Sequence, residues 1–252
     1  MPKKIQFLIT SGILTLLLIF QLETPSVFQP IIIGAIFVVS YLLTAYVLSY
    51  DLAGIEYLTI MALPVLFTTA ISAILYYFPN FSFLFNTILL AVYFISLYLI
   101  LLSENIFNVG RDKPIPLIKA ASTVSFLTTL LTTFLLYTII YKADIPVVFQ
   151  WLGIFFTTFL LAIQSLWTIS LGTAVSKELI VASVFLALLQ LELAVSVSFF
   201  ALEAFFWALF LSTSFYVFLG TAFHYFKKSL TNKVFIEYLL IGIFVVGIIV
   251  II

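Results

Sequence analysis

Long apolar runs follow one another along almost the whole chain, and short polar breaks separate them. A helix needs ~20 mostly apolar residues to cross ~30 Å of hydrocarbon, because each residue rises ~1.5 Å and the backbone polar groups must bond within the segment. Breaking the chain at charges, Pro, Asn and Gly gives nine such runs, at residues 5–20, 30–49, 57–77, 84–102, 118–141, 147–170, 178–199, 203–225 and 235–252. The pattern predicts an all-α, polytopic integral membrane bundle of about nine transmembrane helices.

Two places decide the number of spans. The stretch 178–225 contains no Gly or Pro before Gly220 and is too long for one span. A turn near residues 200–202 divides it, so that Glu203 begins the next helix, where an acid interacts favourably with the helix dipole. The first run could instead be a secretory signal, but no small-x-small cleavage site precedes Glu23. We therefore count it as an uncleaved span.

Loop charges support nine spans and orient the chain. Cytoplasmic loops collect Lys and Arg, and nine of the ten basic residues fall on one side if the N-terminus is cytoplasmic. Lys142 is the single basic residue on the other side. The nine are Lys3, Lys4, Arg111, Lys113, Lys119, Lys177, Lys227, Lys228 and Lys233. The charges predict a cytoplasmic N-terminus in a cell membrane.

One sequence element recurs at an offset of 121 positions. Residues 23–29 and 144–150 share the pattern acid-x-Pro-x-Val-Phe-Gln, and each copy precedes an apolar run. We interpret this as an internal repeat in which four spans (5–102) recur as four spans (118–225), followed by a ninth span (235–252). Four is an even number, so the copies share an orientation, which is the parallel class of duplication known from transporters. The element itself is either a helix-start cap or a substrate gate.

Composition narrows the chemistry further. The chain is 65% hydrophobic and 8% charged with zero net charge, so the bilayer is its expected partner and it lacks the basic surface that nucleic acid requires. It has no Cys and a single His, His224, so we expect no metal site and no cofactor. No Walker loop, Gly-x-Ser-x-Gly or His-Glu-x-x-His pattern occurs. We predict that the protein is not an enzyme.

Glu192 is the acid that these spans place deepest in the hydrocarbon, fourteen residues and hence ~21 Å beyond Glu178. An ionisable group at such a depth is a functional hypothesis in its own right. On a helix Ser196 shares its face, whereas Gln190 projects from roughly the opposite face, and the returning span brings further polar residues to a matching depth. The candidate intramembrane polar site comprises Glu192, Gln190, Ser196, Ser212, Ser214 and Tyr216. It is either a substrate or proton site or a structural interhelical hydrogen bond of ~1 kcal/mol.

Three short segments carry a family resemblance. Leu191–Ala194, Phe215–Gly220 and Glu237–Leu239 resemble the C-terminal half of an uncharacterised bacterial multi-pass membrane family, the domain of unknown function 5656, over about the last 75 residues. The chain has Ala201 where that family leads us to expect Pro. The resemblance implies a bacterial inner or plasma membrane and no assigned activity. We expect a non-enzymatic protein that is transporter- or flippase-like by architecture; the alternative is a structural or assembly component of the cell envelope.

Overall fold

The computed structural model describes residues 2–48, 56–110, 117–172 and 174–251. Within these ranges the chain forms nine α-helices and no strand, and eight of the helices are long and apolar enough to cross a membrane. The prediction of an all-α protein built from apolar helices of membrane-spanning length is confirmed. The helices are α1 (Lys3–Leu22), α2 (Gln29–Leu48), α3 (Glu56–Tyr77), α4 (Phe83–Gly110), α5 (Ile118–Lys142), α6 (Val147–Ser170), α7 (Lys177–Val197), α8 (Ala204–Phe226) and α9 (Asn232–Ile251).

Helix α4 is longer than its predicted span. The predicted span ends at residue 102, whereas α4 continues to Gly110. The buried positions Leu97, Leu101, Glu104 and Asn108 recur at intervals of three or four residues, which is the spacing of one helix face. Because this face is buried, the helix continues past Glu104, the charged residue at which the apolar pattern stops. The additional two turns carry Glu104 and Asn108 into the protein interior.

The turn between α7 and α8 lies where the sequence predicts it. Helix α7 ends at Val197 and Glu203 occupies the N-cap position of α8. Two side chains from neighbouring elements hold the turn: the Tyr141 hydroxyl donates to the carbonyl of Leu202 at 2.6 Å, and Trp151 Nε1 donates to Ser198 Oγ at 3.1 Å. These two hydrogen bonds tie the turn to α5 and α6.

Basic residues stand at helix ends. Lys177 is the first residue of α7, Lys142 is the last residue of α5, and Lys227 is the C-cap of α8. The long stretches between them are free of Lys and Arg, as the hydrocarbon region requires. Arg111 and Lys113, which the sequence assigns to a cytoplasmic loop, lie outside the described residues.

The chain divides into two compact units, Met1–Thr128 and Thr129–Ile252, with the boundary inside α5. In unit one, α1 packs against α2, α3 and α4, and α3 also packs against α2 and α4. In unit two, α6 packs against α7 and α8, while α7 and α9 each pack against α8. The helix pairs that pack most extensively are α2 with α3 in unit one and α6 with α7 in unit two.

Large apolar side chains cover the outside of the helices. Phe83, Phe199 and Val27 are 87%, 84% and 79% exposed, and many other Leu, Ile and Phe side chains are exposed with them. In water so much exposed apolar surface would promote aggregation, whereas in lipid it has no such cost. The polar side chains that the helices bury are therefore the better candidates for a functional site.

Candidate functional site

Gln190 lies at the centre of a buried polar network in unit two. Its side chain is fully buried, and its Nε2 donates to the carbonyl of Leu211 on α8 at 2.6 Å and to the Tyr137 hydroxyl on α5 at 3.4 Å. The Tyr137 hydroxyl is also 2.6 Å from the Thr158 hydroxyl on α6. One glutamine thus connects four helices in the interior of this unit.

Glu192 and Ser196 project from the other side of α7. Both residues are exposed, and the Ser196 hydroxyl donates to the backbone carbonyl of Glu192 at 2.8 Å. The structure therefore separates Gln190 from Glu192, as the helical spacing predicts, and turns the amide inward and the carboxyl outward. The functional role of Glu192 stays a prediction.

The hydroxyl-bearing residues of α8 face in more than one direction. Ser212 Oγ donates to the carbonyl of Leu209 at 3.2 Å, and Ser214 Oγ donates to the carbonyl of Phe210 at 2.9 Å. The ring of Tyr216 lies 4.9 Å from the ring of a tyrosine on α9. The two serines thus bond within their own helix, and no hydrogen bond of the described residues joins either serine to the side chain of the exposed Glu192.

Unit one buries a second group of polar residues, which the sequence argument missed. Helices α1 to α4 all contribute, and each side chain is at most 4% exposed. We call this group the unit-one polar cluster. Its members are Ser11 on α1, Ser40 and Thr44 on α2, Thr59 on α3, and Ser103, Glu104 and Asn108 on α4.

The unit-one polar cluster occupies one end of the unit. Asn108 Nδ2 donates to the carbonyl of Leu48 at 3.4 Å, which joins the C-terminal ends of α2 and α4. Glu104 and Thr44 lie six and four residues before the ends of their helices, at ~9 and ~6 Å along the helix axes. Ser11 lies eight residues after the beginning of α1, or ~12 Å. Thr44, Glu104 and Ser11 therefore lie at similar depths, ~6 to ~12 Å from the nearer ends of their helices.

Several oxygens of the cluster have no hydrogen-bond partner. Within the described part of the chain these are the hydroxyls of Ser11 and Thr44 and the Oδ1 of Asn108, and all three are buried. Buried polar atoms are nearly always hydrogen-bonded, so such exceptions mark a place for a water, an ion or another ligand. The Glu104 carboxyl is fully buried as well. Oxygen atoms of these types suit a proton or a hard cation.

Hydropathy alone does not reveal the cluster, because the apolar pattern of α4 stops at Glu104, the first charged residue of the helix. A signal was present, since Leu97, Leu101, Glu104 and Asn108 continue one helix face. Extending that face would have predicted a buried Glu104.

Among the residues that the structure describes, no three His, Cys, Asp or Glu side chains come together in a group that could hold a metal ion.

The two copies of the repeated element form similar loops. Gln29 Nε2 donates to the carbonyl of Thr24, and Gln150 Nε2 donates to the carbonyl of Ile145, each at 3.1 Å. In both copies the N–H of the Phe also bonds to the carbonyl of the Pro, at 3.0 and 2.8 Å. The two copies differ in backbone conformation at the acidic residue, since Asp144 has a φ of 50° and Glu23 a φ of −82°. In each loop the Gln side chain thus fastens the segment that leads into the helix to the helix itself.

Comparison with known proteins gives one match. A protein-family model described as "Protein of unknown function (DUF5656)" matches residues 44–252. The match therefore extends far beyond the C-terminal segments that show the resemblance in the sequence, and it includes α3 to α9. No curated protein and no solved structure matches the chain.

Proposed function

The chain belongs to the DUF5656 family of proteins of unknown function, and we propose that it is a non-enzymatic multi-pass membrane protein that works as a transporter or flippase. The unit-one polar cluster carries this proposal. An ionisable side chain buried between membrane helices is expensive to maintain, and such side chains typically belong to ion, proton or substrate pathways. Glu104 is such a side chain.

Glu104 is the residue that we expect to exchange a proton or a cation. Among the described members of the unit-one polar cluster Glu104 is the single ionisable residue, and one carboxylate balances one positive charge, whereas a divalent ion would leave a buried excess charge. The oxygens of Ser11, Thr44 and Asn108 that lack a partner are available to replace part of the hydration shell. We therefore favour a proton or a monovalent cation as the coupling ion.

Topology and repeat belong to the same proposal. We infer nine spans with a cytoplasmic N-terminus in a bacterial cell membrane, and a unit of four spans that recurs in the same orientation. The apolar helices, the basic residues at helix ends and the similar hydrogen bonds of the two Gln-containing loops support this arrangement. In this orientation the unit-one polar cluster lies at the cytoplasmic end.

Replacing Glu104 with Gln tests the transport proposal. Glu104→Gln keeps the size and hydrogen-bonding capacity of the side chain but cannot bind or release a proton, so we expect charge movement to fall by about tenfold or more. The measurement is the transient current of proteoliposomes on a solid-supported membrane after pH and Na⁺ jumps, with a panel of candidate solutes present.

Glu192→Gln is the matched control, because it removes a carboxyl from the outward face of α7. If Glu104 is the coupling residue, we expect currents of Glu192→Gln equal to those of the wild type, whereas a loss in Glu192→Gln alone would assign the coupling role to Glu192 instead. Equal currents in the wild type and in a folded Glu104→Gln variant would contradict a coupling role for Glu104. Absence of any current from the wild type would favour the assembly role.

A structural or assembly role is the second candidate, and the position of Glu192 favours it. Its side chain and Ser196 are exposed on α7, only five residues before the helix ends at Val197. A carboxyl that faces lipid is costly, and a contact with another protein chain would remove that cost. This role requires no internal pathway.

Glu192→Leu distinguishes lipid from protein at this face. If lipid surrounds Glu192, the variant should unfold at the same temperature as the wild type or slightly higher, because transfer of a leucine side chain into hydrocarbon is favourable. Its oligomeric state should not change. If the face contacts another chain, the variant should lose that partner. Thermal unfolding and light scattering coupled to size-exclusion chromatography measure both properties. We expect the first result for a transporter that functions as a single chain.

A further inference from the structure

Unit two contains a long groove on the outside of α7, α8 and α9. One cavity of about 540 Å³ is lined by apolar side chains of these helices, with Val217 and Phe218 of α8 among them. A second cavity of about 520 Å³ reaches Lys177 and Glu178 at the beginning of α7. The two cavities share Ala182, Phe185, Tyr225 and Phe226. They therefore form one groove with an apolar body and a charged mouth.

The groove opens sideways, toward the surroundings of the helices. Phe185 on α7 and Phe235 and Leu239 on α9 line it, and they are 59%, 45% and 41% exposed. In a membrane these side chains border lipid. An apolar occupant can thus enter laterally without crossing a polar barrier.

The length of the groove matches one leaflet of a bilayer. Its lining on α7 extends from Lys177 to Leu189, twelve residues that span ~18 Å of helix. Half of a ~30 Å hydrocarbon core is ~15 Å. An acyl chain that lies in the apolar body would place its headgroup beside Lys177 and Glu178, at the end of the helix.

The mouth offers both signs of charge. Lys177 and Glu178 are exposed and adjacent at the beginning of α7, where the helix dipole also favours an anion. A headgroup that contains a phosphate and an ammonium group satisfies both residues, with the phosphate near Lys177 and the ammonium near Glu178. We propose that this groove binds a zwitterionic phospholipid with a primary ammonium headgroup through one acyl chain. Binding at this site does not depend on the proposed transport through unit one.

Native mass spectrometry of the full-length protein in detergent tests the site. The probes are dioleoyl phosphatidylethanolamine and dioleoyl phosphatidylglycerol, which share the phosphate and the acyl chains but differ in the ammonium group. We expect one bound phosphatidylethanolamine for each chain and a preference of about threefold to fivefold over phosphatidylglycerol, the scale of an exposed ion pair. Glu178→Gln should abolish that preference, and Lys177→Gln should weaken the binding of both lipids.

Filling the groove provides the second arm. Ala182→Trp places a ring inside the shared part of the groove and should reduce lipid retention by roughly tenfold or more. Leu188→Trp is the matched control, because Leu188 is exposed on α7 and is not among the residues that line the groove. Helicity and elution volume establish that each variant is folded.

Equal retention of the two lipids by the wild type would overturn the proposal. Unchanged lipid retention in a folded Ala182→Trp variant would overturn it too. If Ala182→Trp does not fold, the lipid preference of Glu178→Gln, changed at an exposed position, decides the matter. Glu104→Gln should retain phosphatidylethanolamine like the wild type, so a failure of this site is distinguishable from a failure of the transport proposal.

Discussion

Trp207→Ala should lower the free energy of unfolding by ~3 kcal/mol, the low end of the range for removing a buried tryptophan. Trp207 is 1% exposed and belongs to a packed core with Tyr137, Ile154 and Leu211. Its ring lies 5.1 Å from the ring of Tyr141. The low end applies because the apolar groups of an unfolded membrane helix already lie in lipid, so the loss comes mainly from packing contacts around a cavity. Unfolding in mixed micelles with increasing dodecyl sulfate, followed by circular dichroism, measures the change.

Trp207→Phe should lower the free energy of unfolding much less than Trp207→Ala does. The Nε1 of Trp207 is buried without a hydrogen-bond partner in the described part of the chain, so phenylalanine removes an unsatisfied donor while it keeps most of the ring. We expect a loss below ~1.5 kcal/mol. Phe199→Ala, at a residue that is 84% exposed, should leave stability within ~0.5 kcal/mol of the wild type. Similar losses in Trp207→Ala and Phe199→Ala would contradict the packing of this core.

Gly220→Ala should lower the free energy of unfolding by about 1–3 kcal/mol, the scale of overpacking a tight contact. A methyl group on Gly220 would overlap the ring of Tyr238 on α9. The ring also contacts Tyr216 at 4.9 Å between centroids, so either the Tyr238 ring rotates out of that contact or α9 moves away from α8. The same unfolding titration measures this effect.

Gly12→Ala is the matched control for that substitution. An added methyl group at Gly12 meets nothing within 4 Å, so it should be neutral or stabilise the helix by up to ~1 kcal/mol. Combining Gly220→Ala with Tyr238→Ala removes the overlap, and the pair should cost less than the two single changes together. Additive losses would show that α8 and α9 do not meet through Gly220 and Tyr238.

The helices could be predicted because the hydrocarbon core imposes their length. Apolar runs of about 20 residues leave few alternatives to a helix in lipid, and the predicted boundaries fail where protein, rather than lipid, surrounds the helix. Helix α4 shows this failure. Ser103, Glu104 and Asn108 are polar and still helical because neighbouring helices cover them. A hydropathy argument cannot distinguish such residues from a loop, whereas the spacing of the buried face can.

The candidate site could be predicted only in part. The opposite faces of Gln190 and Glu192 follow from helix geometry, and the structure shows them. The spacing does not indicate which face is inside, because both faces of α7 carry a polar residue. The inward face is the one that carries Gln190, because its side chain is buried and donates to the carbonyl of Leu211 and the hydroxyl of Tyr137. Those partners lie 21 and 53 residues away along the chain, and local patterns do not report such contacts.

The proposed orientation of the chain is part of the proposed function, because it would place the unit-one polar cluster at the cytoplasmic end. Labelling of single cysteines with a membrane-impermeant thiol reagent in intact cells tests it most directly, and the chain has no cysteine of its own. Asn80, Asp144, Lys119 and Thr231 are all exposed and lie outside the apolar stretches or at their ends. Asn80→Cys and Asp144→Cys should be labelled from outside, and Lys119→Cys and Thr231→Cys only after the cells are opened. Labelling of Thr231→Cys from outside, or protection of Asp144→Cys in intact cells, would contradict nine spans with a cytoplasmic N-terminus.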